Sequence, residues 1–148
     1  MASGFSRTLP VTITTHSESE TAAVGRDLAA RLSAGSVVLL RGDLGAGKTA
    51  LVRGLAEGLG VNPEEVSSPT FTLMQEYRGG RVPLLHVDLY RLNDPREIED
   101  LGLDELAADA VLAIEWADKL PRTPPEAIRI TIEHAGETGR RLTVQTEK

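Results

Sequence analysis

The chain alternates short apolar runs with segments whose apolar residues recur every three or four positions. Residues 11–15 (V-T-I-T-T) alternate apolar and polar, the period of a half-buried strand. Ser17-Glu18-Ser19-Glu20 has the form of a capping box, with Ser17 as N-cap and Glu20 three residues on. Val24, Leu28 and Leu32 then mark a helix that the pattern carries to near Gly35. Residues 37–41 read as a second strand. Leu51, Leu55 and Leu59, spaced i, i+4, i+8, predict a helix that stops around Gly60, where Asn62-Pro63 breaks the pattern. A polar loop follows at 64–70. Residues 71–77 and 82–90 read as strands around a Gly79-Gly80 turn. Asp94-Pro95-Arg96-Glu97 starts another helix, with Pro95 at its first position and Glu97 three residues after the cap. Residues 111–116 form a short buried strand, and 128–133 and 141–146 a hairpin turning through Gly136 and Gly139. Strands alternating with helices imply an α/β domain with a parallel core and an antiparallel addition at the end.

Length and charge narrow the class. A chain of 148 residues predicts one domain, 1–148, long enough to bury a core without staples. The absence of cysteine excludes disulfides, thiolate metal sites and a cysteine nucleophile, and fits a reducing cytoplasm. The opening residues lead to no apolar signal-peptide core, and no run approaches the ~18 residues of a membrane span. With a net charge of −6 and Arg140-Arg141 as its only adjacent basic pair, the chain lacks the basic surface needed to hold nucleic acid alone. The acidity reads as a solvated surface.

Between the second strand and its helix lies G-D-L-G-A-G-K-T, Gly42 to Thr49, which fits the phosphate-loop pattern G-x-x-x-x-G-K-[ST] in its strand–loop–helix setting. Gly42, Gly45 and Gly47 allow a tight turn whose N–H groups point inward around phosphate oxygens, and the helix adds its positive end. Lys48 can reach the β- and γ-phosphates, and the Thr49 hydroxyl can ligate Mg²⁺. Lys48 is one of only three lysines, against thirteen arginines, so a compact ammonium stands where the pattern needs one. Taken alone, a glycine-rich strand–helix turn is the structural alternative.

A Mg-nucleotide site also needs acids at strand ends near the loop. L-L-H-V-D ends at Asp88 and V-L-A-I-E ends at Glu115. Parallel core strands would present both at the edge where α/β sheets bind ligands. One carboxylate could hold Mg²⁺ directly or through its waters, and the other could orient or deprotonate the attacking water; spacing leaves the assignment open. Solvated acids at strand exits are the plain alternative.

The loop, S-P-T-F-T-L at 68–73, H-V-D-L-Y-R-L at 86–92 and E-W at Glu115-Trp116 together resemble the TsaE family, over about residues 12–142. TsaE is the small ATPase of bacterial tRNA threonylcarbamoyladenosine synthesis. The resemblance implies a P-loop NTPase-like three-layer α/β domain, its parallel sheet core flanked by antiparallel strands. It implies binding and hydrolysis of ATP with Mg²⁺, in concert with TsaB and TsaD, whose complex modifies adenosine 37 of tRNAs reading ANN codons. The tRNA would be reached only through those partners. Carried over by motif, residues 45–50 (Gly45, Ala46, Gly47, Lys48, Thr49, Ala50) would cradle the phosphates, with Thr49 and Glu115 as Mg²⁺ ligands. Asp88 would bind through a metal-bound water or position the nucleophile, and Thr70 would resemble a switch residue that follows the γ-phosphate. Gly139-Arg140 matches a family Gly-Arg and would place Arg140 near the nucleotide; the start of the first helix, around Glu18, would approach the base. The family often has a second threonine where this chain has Ala50, so only a backbone N–H remains there.

Other classes compete. A small-molecule kinase uses the same loop, but no arginine-rich lid or acceptor pocket is visible. A GTP switch would need N-K-x-D and D-x-x-G, and both are missing. A nucleotide-gated binding module is the non-catalytic reading. His86 reads as a satisfied core histidine and Trp116 as a core or cleft aromatic, which the resemblance would set beside the nucleotide or a partner; Arg91 and Arg96 read as surface or structural ion-pair residues, with arginine fingers in cis as the alternative.

Overall fold

The computed structural model describes residues 10–43, 47–62 and 74–146. The elements in chain order are β1 (Val11–Thr15), α1 (Glu18–Ala29), β2 (Val37–Gly42), α2 (Lys48–Leu59), β3 (Met74–Tyr77), β4 (Leu84–Asp88), α3 (Pro95–Glu99), α4 (Leu103–Ala107), β5 (Val111–Glu115), a 3₁₀ turn at Ala117–Lys119, β6 (Ile128–Ala135) and β7 (Gly139–Thr146). The strands form one sheet in the order β1-β7-β6-β2-β5-β4-β3. The neighbours β6, β2, β5 and β4 are parallel. β3, β7 and β1 join antiparallel at the two sides. The expected parallel core with antiparallel flanks is therefore present.

Strand parity sorts the core into two layers. Val38, Leu40, Leu84, Val111, Ala113, Ile130 and Ile132 pack with Val24 and Leu28 of α1 and Leu51, Leu55 and Leu59 of α2. The alternate residues Leu39, Leu85, Val87, Leu112 and Ile114 pack under Ile98 of α3 and Ala107 of α4. Both faces of the central strands are covered, which is why β2 and β5 are continuous apolar runs. No helix among the described residues is long and apolar enough to cross a membrane.

Several boundaries differ from the sequence expectation for local reasons. α1 ends at Ala29, well before Gly35, because tight turns at Arg31 and Leu32 close the chain onto Leu28 and Ala29. Its predicted cap forms: Ser17 Oγ accepts from Glu20 N at 3.0 Å, while Glu20 Oε1 accepts from His16 N at 2.7 Å, one residue earlier than the usual reciprocal bond. The helix begun at Asp94 is divided into two short pieces, with Gly102 in the left-handed region between them. β4 stops at Asp88, two residues early, where Asp88 Oδ1 accepts from Tyr90 N at 2.9 Å and turns the chain. β5 stops one residue early because Trp116 takes a positive φ of 62°. The hairpin strands run longer than expected, and Gly139 belongs to the ladder, opposite Ala135. Of the predicted strand at 71–77, residues 71–73 lie outside the described residues, as does the polar loop at 64–70.

The position of α2 depends on close contact with α1. A Cβ at Gly54 would lie 1.9 Å from the Ala22 carbonyl oxygen, and one at Gly25 would lie 2.4 Å from that of Leu51. Glycine costs about 1 kcal/mol in a helix interior relative to alanine; backbone-to-backbone packing is what it permits here. Gly54→Ala should lower stability by about 1–3 kcal/mol despite the better helix former, because the helices must separate. Thermal unfolding of the variant checks this, and a melting temperature equal to or above wild type would show that α1 shifts without cost.

Candidate active site

The chain leaves β2 at Gly42 and re-enters helix at Lys48. Gly47 is the N-cap of α2, at φ 110°, and no side chain caps it. As N-cap, Gly47 offers no side-chain acceptor to the first-turn N–H groups of this twelve-residue helix, which starts at the carboxyl end of β2. Residues 44–46, with Gly45 and Ala46, lie outside the described residues, as do Thr70 and the block at 68–73. Ala50 is buried on α2. The first turn of α1 borders the loop: Thr21 Cγ2 is 3.8 Å from where a Cβ of Gly47 would be.

The parallel register sets Asp88 directly opposite Glu115 and His86 opposite Ala113. By parity His86, Asp88 and Glu115 all share the α2 face of the sheet. Lys48 Nζ lies 3.3 Å from Glu115 Oε1, and His86 Nε2 lies 2.6 Å from Glu115 Oε2. His86 is fully buried and Glu115 is 8% exposed. Burial pushes the Glu115 carboxyl up. The His86 hydrogen bond and charge, together with the Lys48 ammonium, outweigh burial and hold it below the usual carboxylate range. An ionised carboxylate only accepts, so Nε2 of His86 is the donor. His86 Nδ1 has no hydrogen-bond partner among the described residues.

A cavity of about 360 Å³ opens beside this cluster, with Gly42, Asp43, Lys48, Trp116, Asp118 and Glu133 in its lining. A larger one, about 650 Å³, lies across the sheet between α3–α4 and residues 121–125, away from Lys48. The smaller cavity is the better candidate because Lys48, the ion-pair partner of Glu115, lines it. Trp116 of its lining, 41% exposed, packs against Tyr90, 58% exposed, with ring centroids 5.0 Å apart and planes tilted by 51°. Lys119 Nζ lies 5.7 Å and 5.9 Å from the Tyr90 and Trp116 ring centroids. The same ammonium donates to the carbonyls of Tyr90 at 2.6 Å and Leu92 at 3.0 Å, and to Asn93 Oδ1 at 3.1 Å. It therefore ties the segment after Asp88 to the turn after Glu115.

The structure brings Gly42, Gly47, Lys48, Thr49, Asp88 and Glu115 to one edge. Arg140 stands at the same edge but further along the sheet, on β7 opposite Thr15, where its Nη1 donates to the Gly139 carbonyl at 2.8 Å. It does not line the cavity beside Lys48. Arg96 is a surface side chain, 3.6 Å from Asp94. Sequence reasoning placed His86 in the core, where it is, but missed its bond to Glu115. The available signal was parity: His86 stands two residues before Asp88 and so faces the same way. The role of Lys119 had no local signal, because its partners are more than 25 residues away.

The donors suit Mg²⁺. Thr49, Asp88 and Glu115 offer hard oxygens, and a cation, the Lys48 ammonium, already rests on Glu115 Oε1. A hydroxyl and one or two carboxylates match the protein share of a Mg²⁺ site completed by phosphates and water. The lowered Glu115 value also fixes a sign. Its ionised form favours the folded state above the ordinary carboxylate value of about 4.3, and that contribution is lost as pH falls through the lower folded value. Urea unfolding of wild type and Glu115→Gln should give a stability difference that is flat near neutrality and moves against wild type only below about pH 4. A difference that stays constant into the acid range would mean that the carboxylate is not held ionised.

Comparison with known proteins agrees with the four sequence blocks. The family described as "Threonylcarbamoyl adenosine biosynthesis protein TsaE" matches residues 15–142. A tRNA threonylcarbamoyladenosine biosynthesis protein TsaE from Bacillus subtilis is 46% identical over 126 residues, covering 84% of this chain and 78% of its own. That of Treponema pallidum is 41% identical over 130 residues, covering 86% and 95%. The crystal structure of Bacillus subtilis YdiB superposes with a TM-score of 0.75 at 36% identity, covering 95% of this chain and 87% of that one. The chain belongs to the TsaE family of threonylcarbamoyl adenosine biosynthesis proteins.

Proposed function

We propose that the protein is a Mg²⁺-dependent ATPase of the P-loop class that serves threonylcarbamoylation of adenosine 37 in tRNAs reading ANN codons, acting with TsaB and TsaD. Family membership supports the pathway. The observation that carries the chemistry is the meeting of Lys48, at the start of α2, with Glu115 at 3.3 Å, beside Asp88 on the neighbouring parallel strand.

In this reading the loop amides and Lys48 bind the nucleotide phosphates, with Gly45, Ala46, Gly47 and Ala50 contributing backbone N–H groups. Thr49 and Glu115 would hold Mg²⁺, which neutralises phosphate charge when bound. Asp88 would bind through a metal-bound water or position the attacking water, and Thr70 would follow the γ-phosphate. Arg140 would need to release Gly139 to reach the nucleotide. Missing guanine-reading motifs favour ATP. The net charge of −6 favours contact with tRNA through the partner proteins, and the lack of cysteine favours a cytoplasmic setting.

Phosphate release by the purified protein, with and without TsaB and TsaD, tests this reading. Activity is expected to rise with the partners. Lys48→Ala should lower it by at least about 10-fold, since it removes a charge aimed at phosphate. ATP neither bound nor hydrolysed in either condition would sink the proposal. Glu115→Ala separates turnover from binding: if it keeps ATP binding and full tRNA modification, the protein is a nucleotide-gated module instead.

A further inference from the structure

The two oxygens of Glu115 have unlike neighbours. Oε2 faces His86, which is fully buried and fixed in the floor of the sheet by pairing of β4 with β3 and β5. Oε1 faces Lys48, whose flexible stem starts at the first residue of α2 and whose side chain is 17% exposed. A packed imidazole on a central strand cannot move without moving the sheet. A lysine end can swing by several ångströms through rotamer changes alone. Among the described residues, Glu115 Oε2 is the hydrogen-bond partner of the ring, because Nδ1 has none. Ring and carboxylate therefore set each other's orientation.

We propose that His86 is a positioning residue for the metal site, an inference that rests on the Mg-nucleotide reading above. It holds Oε2 in every state and presents Oε1 alone to the cation. Lys48 occupies Oε1 until nucleotide arrives, then leaves it for the phosphates. The exchange replaces one cation on Oε1 by another, so the buried carboxylate keeps a countercharge throughout. His86 touches neither nucleotide nor metal. It acts through Glu115, as groups behind a metal ligand do when they fix its orientation.

The test uses Mn²⁺ as the spectroscopic probe, a non-hydrolysable ATP analogue, and three variants. His86→Gln carries an amide nitrogen about as far out as Nε2; His86→Asn falls short of Oε2; His86→Leu fills the space without a donor. Thermal unfolding reports whether each folds. All folded variants should bind the analogue in EDTA as wild type does. Electron paramagnetic resonance titration should show Mn²⁺ affinity in the analogue complex reduced about 10- to 100-fold in the Asn and Leu variants and largely restored in Gln. Wild-type Mn²⁺ affinity in the Asn or Leu variant, or a Gln variant as weak as Asn, overturns the proposal. If Leu fails to fold, the Gln–Asn pair decides. If none folds, His86 is a core residue only and the proposal fails. Wild-type protein that binds no analogue at all would instead remove the nucleotide reading, and this inference with it.

Discussion

A carboxylate withdrawn from water costs several kcal/mol unless a countercharge and hydrogen bonds replace its hydration. Glu115 is such a group, and its two oxygens are met by Lys48 from one helix and His86 from a neighbouring strand. Three separate segments of chain must converge to within about 3 Å for this to work. The parallel register of β4 with β5 supplies one partner. The passage from β2 through the glycine loop into α2 supplies the other. If either slipped by one residue, strand parity or helix phase would turn the partner away and leave a buried charge alone.

The convergence in turn relies on how deeply α2 is seated. Glycines at 25, 54 and 58 let α1 and α2 approach until backbone meets backbone or alanine methyl. The same packing brings the first turn of α1 beside Gly47, and the Thr21 hydroxyl lies 2.7 Å from that of Thr15 on β1. Thr21 of α1 therefore links β1 at the sheet edge to Gly47 at the start of α2. Arg140 belongs to the margin of the sheet through the pairing of β7 with β1.

Negative charge is concentrated in one segment of the chain. Residues 94–109 carry seven carboxylates and one arginine, a net −6 that equals the net charge of the whole chain. These residues form the α3–α4 layer, on the far face of the sheet from α2. The remainder of the chain is balanced, so the excess negative charge lies on the face of the sheet opposite α2 and Lys48.

Periodicity and local chemistry determined much by themselves: the existence and type of most elements, the Ser17 cap, the stop of α2 at Gly60, and the loop that ends in Lys48 and Thr49. These depend on residues within one or two turns of each other, so a linear reading contains them. The acids Asp88 and Glu115 were legible as strand ends, because an apolar run followed by a carboxylate is a local pattern. Tertiary structure alone decided that Glu115 is shared between Lys48 and His86, that Lys119 ties Tyr90 to Trp116, and that Gly102 divides the helix begun at Asp94. It also placed Arg140 along the edge with its guanidinium on Gly139. Each of these is a choice among partners distant in sequence or among equivalent turns. Register and packing make that choice, since burial penalises every arrangement that leaves a charge or a backbone group unpaired.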